Sequence, residues 1–131
     1  MRSLFHDFDA ASVDPDLNRT QLKALIMLHH GMNTTMSMLS RMLDIEKGST
    51  TSLVDALERK GLAGRFRDSG DRRTIRLKLT EAGVAKAGRA EELIRRHIDR
   101  KLSILRPEEK DRLLDAISVF DHVARRVADV Q

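Results

Sequence analysis

DSGDRRTIRLKLTEAG, residues Asp68 to Gly83, changes its hydrophobic period twice within one short span. Asp68, Ser69, Gly70 and Asp71 are turn formers, through side-chain hydrogen bonds to the local backbone or through free backbone rotation. Arg72 and Arg73 follow. Then Ile75, Leu77 and Leu79 alternate with the polar Thr74, Arg76 and Lys78. Period two is the pattern of a strand with one face on a core. Thr80 breaks it and is placed to cap a helix, with Glu81 in the first turn complementing the helix dipole. Immediately upstream of the turn, Leu62 to Arg67 reads as a second strand, so the segment is a hairpin with paired arginines at its tip.

The hairpin follows two short helices. Leu22, Leu25, Ile26 and His29 recur at i, i+3, i+4 and i+7, which predicts an amphipathic helix from Thr20 to His30, ended by Gly31. Thr34-Thr35 reads as a short extended piece. Met38, Leu39, Met42 and Leu43 form the next helical face, and Asp44 to Glu46 is a tight connection. A further helix spans Lys47 to Lys60, with Thr50, Leu53, Val54 and Leu57 on one side and Gly61 at its close. Helix, turn, helix and basic hairpin in that order make a winged helix.

Downstream, Ala90, Leu93, Ile94, His97, Ile98, Lys101, Leu102 and Leu105 form a stripe along one long helix. A last helix runs from Pro107 to about Asp129, with Leu113, Leu114, Ile117, Phe120, Ala124 and Val127 as its buried side. Arg106 stands at its cap position and is a poor capping residue. Leu4, Phe5 and Phe8 make one or two helical turns before a loop from Asp9 to Asn18. Met27, Met32, Met36, Met38 and Met42 read as core around the first helices. The fold class is mainly α with a small β-hairpin wing. Within a single domain, 1–131, a winged helix-turn-helix occupies 20–80 and helical parts occupy 1–19 and 81–131.

The chain has 131 residues and a formal net charge of +4, which suits an acidic partner. It has no cysteine, so thiol redox chemistry and disulfides are excluded. No apolar run approaches ~18 residues, so no membrane span is expected. The start, MRSLFHDFDAASV, has no apolar stretch of signal-peptide type, and the expected location is the cytoplasm. A nucleophile elbow, a phosphate-cradling glycine loop and a His-Glu metal motif are all missing, so neither an enzyme nor a cofactor is expected. His29 and His30 are adjacent, but no second close His or Cys pair accompanies them, and His97 and His122 fall on other helices. Zinc sites need ~4 converging ligands, so no metal site is expected. His97, on the apolar stripe, reads as a packing histidine.

The candidate interface has two parts. On the second helix of the pair, Gly48, Ser52, Asp55 and Arg59, flanked by Ser49 and Thr51, lie opposite the apolar side. Small hydroxyl residues near a helix N-terminus allow close approach to phosphates and base edges. On the hairpin, Arg65, Arg67, Arg72, Arg73, Arg76 and Lys78 crowd a short span, and arginine suits a narrow, negative minor groove. A charge-rich hairpin by itself is as often a solvated edge; the preceding helix pair tips the reading to DNA. Asp55 is an acid on that face. It either orients a nearby arginine or rejects some base contacts, and the sequence leaves both open.

These residues resemble the MarR family of winged-helix transcription regulators. The resemblance rests on Asp71-x-Arg73 followed by Leu79-Thr80-x-x-Gly83, and on LVDALERKGLAGR from Leu53 to Arg65. It implies a homodimer whose terminal helices form the dimer region and whose two winged helices each read half of a palindromic operator. It further implies a cytoplasmic repressor and, as is common in the family, control by a small-molecule effector. By the same resemblance, Arg72 is the wing-tip arginine of the minor groove, and Asp71 and Arg73 hold the wing's shape. Gly48, Ser49, Thr51 and Ser52 take recognition-helix positions. Arg65, Arg67, Arg76 and Lys78 are wing contacts by the hairpin's own charge pattern rather than by the resemblance. Leu79, Thr80 and Gly83 are structural. The alternative is a winged-helix interaction module that binds or blocks another regulator.

Overall fold

The computed structural model describes residues 14–31, 34–128 and 130. Leu4, Phe5, Phe8, Met32 and the N-terminal part of the expected dimer region lie outside them. The described elements are α1 (Arg19–His30), β1 (Thr34–Thr35), α2 (Met36–Leu43), α3 (Lys47–Arg59), β2 (Ala63–Arg67), β3 (Ile75–Leu79), α4 (Glu81–Leu102) and α5 (Pro107–Ala128). The chain forms two compact units, one reaching to Arg95 and the other beginning at Arg96. Among the described residues no helix is long and apolar enough to cross a membrane.

Local chemistry sets the boundaries of the helices. Asn18 caps α1 by accepting the backbone N–H of Gln21, while the Gln21 side chain accepts that of Asn18, a reciprocal capping box. Thr35 caps α2 through the N–H of Met38 at 3.1 Å. At the end of α3, Gly61 takes φ +70°. Its N–H donates to Glu58 O and that of Leu62 donates to Leu57 O, a Schellman closure that needs a left-handed residue. Gly31 ends α1 as the sequence suggests, in extended backbone with φ −86°, its N–H donating to Met27 O at 2.8 Å. Arg106 precedes α5 without a capping side chain. Glu109 compensates, accepting the Arg106 N–H at 2.9 Å and pairing with its guanidinium at 3.3 Å.

The sheet is larger than a hairpin. β1 joins it, giving a three-stranded order β1-β3-β2 with both pairings antiparallel. Thr34 and Thr35 sit opposite Leu77 and Arg76. That ties the start of the helix pair to the wing's second strand.

The core lies beneath the helix pair. Leu25, Leu39, Leu57 and Val54 are fully buried, joined by Leu22, Leu28, Leu53, Leu62, Leu77, Leu79, Ala87 and Ala90. Each buried leucine contributes about 1.5–3 kcal/mol by transfer from water. A buried polar pair joins α2 to α3, Ser40 Oγ with Thr50 Oγ1, 2.7 Å apart. Thr50 Oγ1 also donates to Glu46 O at 3.0 Å, so neither hydroxyl is stranded. Two expectations from the sequence fail in the fold. Met38 and Met42, read as core, are 38% and 45% exposed, because α2 turns Leu39 and Ser40 inward. Ile75 is 38% exposed at the distal end of the hairpin, where the helices no longer cover the strand. The apolar side of α5 is open in the single chain, with Phe120 at 70% and Val127 at 65% exposure.

The junction into α4 is tightly built. Thr80 accepts the N–H of Gly83 at 3.0 Å and donates its hydroxyl to Gly61 O at 2.7 Å. The Thr80 N–H bonds Leu62 O at 3.0 Å. A Cβ on Gly83 would stand 2.0 Å from that same carbonyl oxygen, so only glycine fits. Thr80-x-x-Gly83 therefore locks the start of α4 against the end of α3.

Candidate nucleic-acid interface

α3 presents the face that the sequence assigned to it. Gly48, Ser49, Thr51, Ser52 and Arg59 are exposed and Asp55 is half-buried, while Thr50, Leu53, Val54 and Leu57 point into the core. Glu46 stands at the N-cap and makes no side-chain cap bond. The N–H groups of the first turn, which have no intrahelical acceptor, are left to an external one. Thr51 donates its hydroxyl to Lys47 O at 3.0 Å, which holds its side chain against the helix.

The wing cations divide. In the antiparallel register Arg65 faces Leu77 and Arg67 faces Ile75, so these two share a sheet face with the apolar residues. Lys78 faces Gly64 and Arg76 faces Phe66 on the opposite side. In the sequence they crowd one short span; the register divides them between two faces. Their partners separate them again. Arg65 is clamped to α3, with Nη2 2.7 Å from Asp55 and Nη1 2.9 Å from Glu58. The Arg65 N–H also donates to Glu58, at 3.1 Å. Arg76 Nε is 2.8 Å from Asp68. Arg67 donates to the carbonyl of Arg72 at 2.9 Å. Arg72, Arg73 and Lys78 are exposed, and among the described residues none of the three has an ion-pair partner.

Asp68 and Asp71 build the tip between them. Asp68 accepts the N–H of Gly70 at 3.0 Å, and its own N–H bonds Thr74 O at 3.2 Å. The Gly70 N–H, and then Arg76, hold its carboxyl below its ordinary value of 3.8. Asp71 accepts the backbone N–H of Arg73 at 3.0 Å and the Thr74 hydroxyl at 3.1 Å. Asp71 thus shapes the tip through the Arg73 backbone, which leaves the Arg73 guanidinium outward of that contact. The loop runs longer than the four residues DSGD, and Arg72 and Arg73 lie in its turn.

Helix and wing meet across a cleft of about 310 Å³ lined by Met36, Ser37, Ser40, Lys47, Thr51, Arg65 and Ile75. Lys47 from α3, Ser37 from α2 and Arg65 from the wing supply hydrogen-bond donors to it. Ser37 and Lys47 were not among the sequence candidates. Ser37 sits in the first turn of α2, and only the folded approach of α2 to α3 and β2 reveals its position.

Comparison with known proteins follows the same architecture. The model described as "MarR family" matches residues 17–75. The HTH-type transcriptional regulator YfiV of Bacillus subtilis (strain 168) is 28% identical over 111 residues, covering 80% of this chain and 66% of that protein. The regulator YhbI of the same organism is 31% identical over 68 residues, covering 52% of this chain and 44% of its own length. The chain thus spans less than two thirds of these curated relatives. The solved structure of the transcriptional repressor CouR bound to a 23-mer DNA duplex is 31% identical, covers 91% of this chain and 84% of its own, and has a TM-score of 0.70. Streptococcus pneumoniae FabT, solved in complex with DNA, shares the fold with a TM-score of 0.74 at 19% identity, covering 95% of this chain and 92% of its own.

Proposed function

The chain belongs to the MarR family, and on that premise we propose that it is a sequence-specific double-stranded DNA-binding transcription regulator, a homodimeric repressor on a palindromic operator. One observation carries the reading. The uncapped, small-residue end of α3 and the basic wing face each other across the cleft that Lys47, Thr51 and Arg65 line. A recognition helix that enters a major groove needs such a slim polar end. A wing that follows the backbone into the neighbouring minor groove needs unpaired cations at its tip, as at Arg72 and Arg73. The repressor assignment draws on CouR, whose structure holds a DNA duplex. The operator sequence and a small-molecule effector belong to this reading as further parts of it. It names no enzymatic activity.

On this reading the 20–80 segment acts as the reading head, and 1–19 with 81–131 as the dimer region. α5 offers Leu114, Ile117, Phe120 and Val127 at 64%, 55%, 70% and 65% exposure. Such a patch on a soluble chain marks an interface, and a two-fold axis would repeat α3 on successive major grooves.

Selection of bound genomic fragments by the purified protein, followed by titration of the recovered duplex at several salt concentrations, tests the proposal. Each neutralised phosphate contributes a slope of about −0.9 in log K against log salt, so two copies of helix and wing should give about −4 or steeper. A flat salt response, or no enrichment of any sequence, would favour the protein-interaction module instead.

A further inference from the structure

The C-terminal end of α1 directs two imidazoles at one carboxylate. His29 Nδ1 stands 3.0 Å from Glu91 Oε1, and His30 Nε2 stands 2.7 Å from the same oxygen. The two rings have centroids 5.3 Å apart and planes inclined by 48°. One donor atom from each of the three residues lies within 4.8 Å of the other two. Neighbouring helix residues point about 100° apart, from 3.6 residues per turn. Two adjacent histidines therefore reach a common point only by offering different ring nitrogens, the near one of His29 and the far one of His30.

We propose that His29, His30 and Glu91 form a binding site for a borderline divalent transition-metal ion of the Zn²⁺ type, with a fourth position open to solvent. The donor set selects the metal class. Two imidazoles and one carboxylate suit zinc and its neighbours, whereas Ca²⁺ and Mg²⁺ require cages of oxygen ligands. The spacing fits as well. Zinc–nitrogen and zinc–oxygen bonds of about 2.0–2.2 Å place tetrahedral donors about 3.3 Å apart. The two nitrogen–oxygen separations, 3.0 and 2.7 Å, would widen by roughly 0.3 and 0.6 Å as an ion enters between ring and carboxylate, and the two nitrogens already lie within 4.8 Å of each other. The last carbonyls of α1 add negative potential at this end of the helix. Access is open, since the His30 side chain is 67% exposed while His29 and Glu91 are 29% and 30% exposed. The bound ion would join the end of α1 to α4, directly before the chain turns toward β1.

Adjacent histidines without a nearby third ligand give no metal signature in sequence. The missing donor lies 62 positions away on another helix, which is why spacing argued against a metal.

The test uses the full chain, stripped by dialysis against EDTA, in competition with a chromophoric chelator for Zn²⁺. The wild type should withdraw one equivalent per chain, and zinc should raise its thermal midpoint. Glu91→Gln keeps the size and a hydrogen-bonding oxygen but is a poor ligand; it and His29→Ala should each weaken zinc binding at least tenfold and lose the thermal shift. His30→Ala should do the same. Circular dichroism of the apo variants confirms that each remains folded. Equal zinc affinity in the wild type and all three variants would overturn the site, as would failure of the wild type to compete with a weak chelator. Displacement of the zinc by equimolar Mg²⁺ would overturn the metal class.

Discussion

Arg65 and Asp55 join the wing to α3: the guanidinium Nη2 lies 2.7 Å from the carboxylate, while Nη1 of the same side chain lies 2.9 Å from Glu58. Asp55, the acid that stood out on the polar face of α3, thus pairs with a wing arginine, the first of the two roles the sequence left open. Arg65 is 26% exposed and Asp55 46%, so screening limits the pair to the modest range of surface bridges, about 0.2–1 kcal/mol. Its effect should fall on geometry more than on stability. Asp55→Asn is expected to lower the thermal midpoint by no more than a few degrees, yet to weaken operator binding severalfold, because Arg65 and the strand it stands on lose their fixed angle to α3. A double-mutant cycle with Arg65→Met measures the coupling. Additive effects on affinity would show that the two residues act independently.

The hairpin tip should loosen in acid. Asp68 has a folded-state pKa depressed by the Gly70 N–H and by Arg76, relative to an ordinary value of 3.8. A depressed carboxylate stabilises the folded form fully above its unfolded value. That contribution is lost as pH falls below 3.8 and through the lower folded value. Amide exchange of the Asp68–Thr74 closure, with pH-dependent intrinsic rates removed, should therefore quicken in this acid range in the wild type. Asp68→Asn should be loose already at neutral pH and show no further acid step. An unchanged acid step in that variant would assign it elsewhere, Asp14 beside Lys86 being the other depressed carboxyl.

Much of this was legible because short-range chemistry and tertiary need agree. Thr80 and Gly83 stand three residues apart since one hydroxyl must reach the Gly83 N–H and one Cβ must be missing against Leu62 O. Leu53, Val54 and Leu57 could be assigned to the core because α3 has a clear apolar side. The failures have physical causes too. In α2, hydrophobicity favours Met38 and Met42, but the hydroxyl of Ser40 is drawn inside by Thr50, and an apolar count cannot weigh that bond. On the wing, alternation distinguishes two faces of a strand but not which cations already have acids beside them. Arg65 and Arg76 are held by Asp55, Glu58 and Asp68, and that follows from register and strand-to-helix approach rather than from spacing. Glu91 meets His29 and His30 only through the packing of α1 on α4.

The exposed stripe of α5 should carry self-association. Phe120 is 70% exposed on the same stripe as Ile117 and Val127, so truncating it in an isolated chain would disturb little packing. Phe120→Glu places a charge where a partner copy would bury an aromatic ring, and burying an uncompensated charge is prohibitive. Sedimentation equilibrium at micromolar protein should give a dimer for the wild type and a shift of at least tenfold toward monomer for the variant, with helix content retained. Identical dimer constants would move the interface away from this stripe.

Arg72 tests the wing itself. Its carbonyl is anchored by Arg67 at 2.9 Å, while its side chain is exposed at the tip. Anchored backbone with an open side chain is what a groove-entering arginine requires: the position is fixed, and no internal partner must be given up. Arg72→Ala should leave the thermal midpoint nearly unchanged, since exposed substitutions shift stability by under ~0.5 kcal/mol. It should weaken operator binding by about 1–3 kcal/mol for each half-site, the range of specific groove contacts. Asp71→Ala is the informative contrast. It removes the acceptor for the Arg73 N–H and the Thr74 hydroxyl, so amide exchange from Thr74 into β3 should quicken and affinity should fall indirectly. Arg73→Ala should leave those backbone contacts in place and lose affinity without that change in exchange. Operator affinity and exchange rates measured on all three variants separate the roles. An Arg72→Ala protein with wild-type affinity would remove the arginine from the groove, and parallel losses of exchange protection and affinity in all three would make the wing a purely structural element.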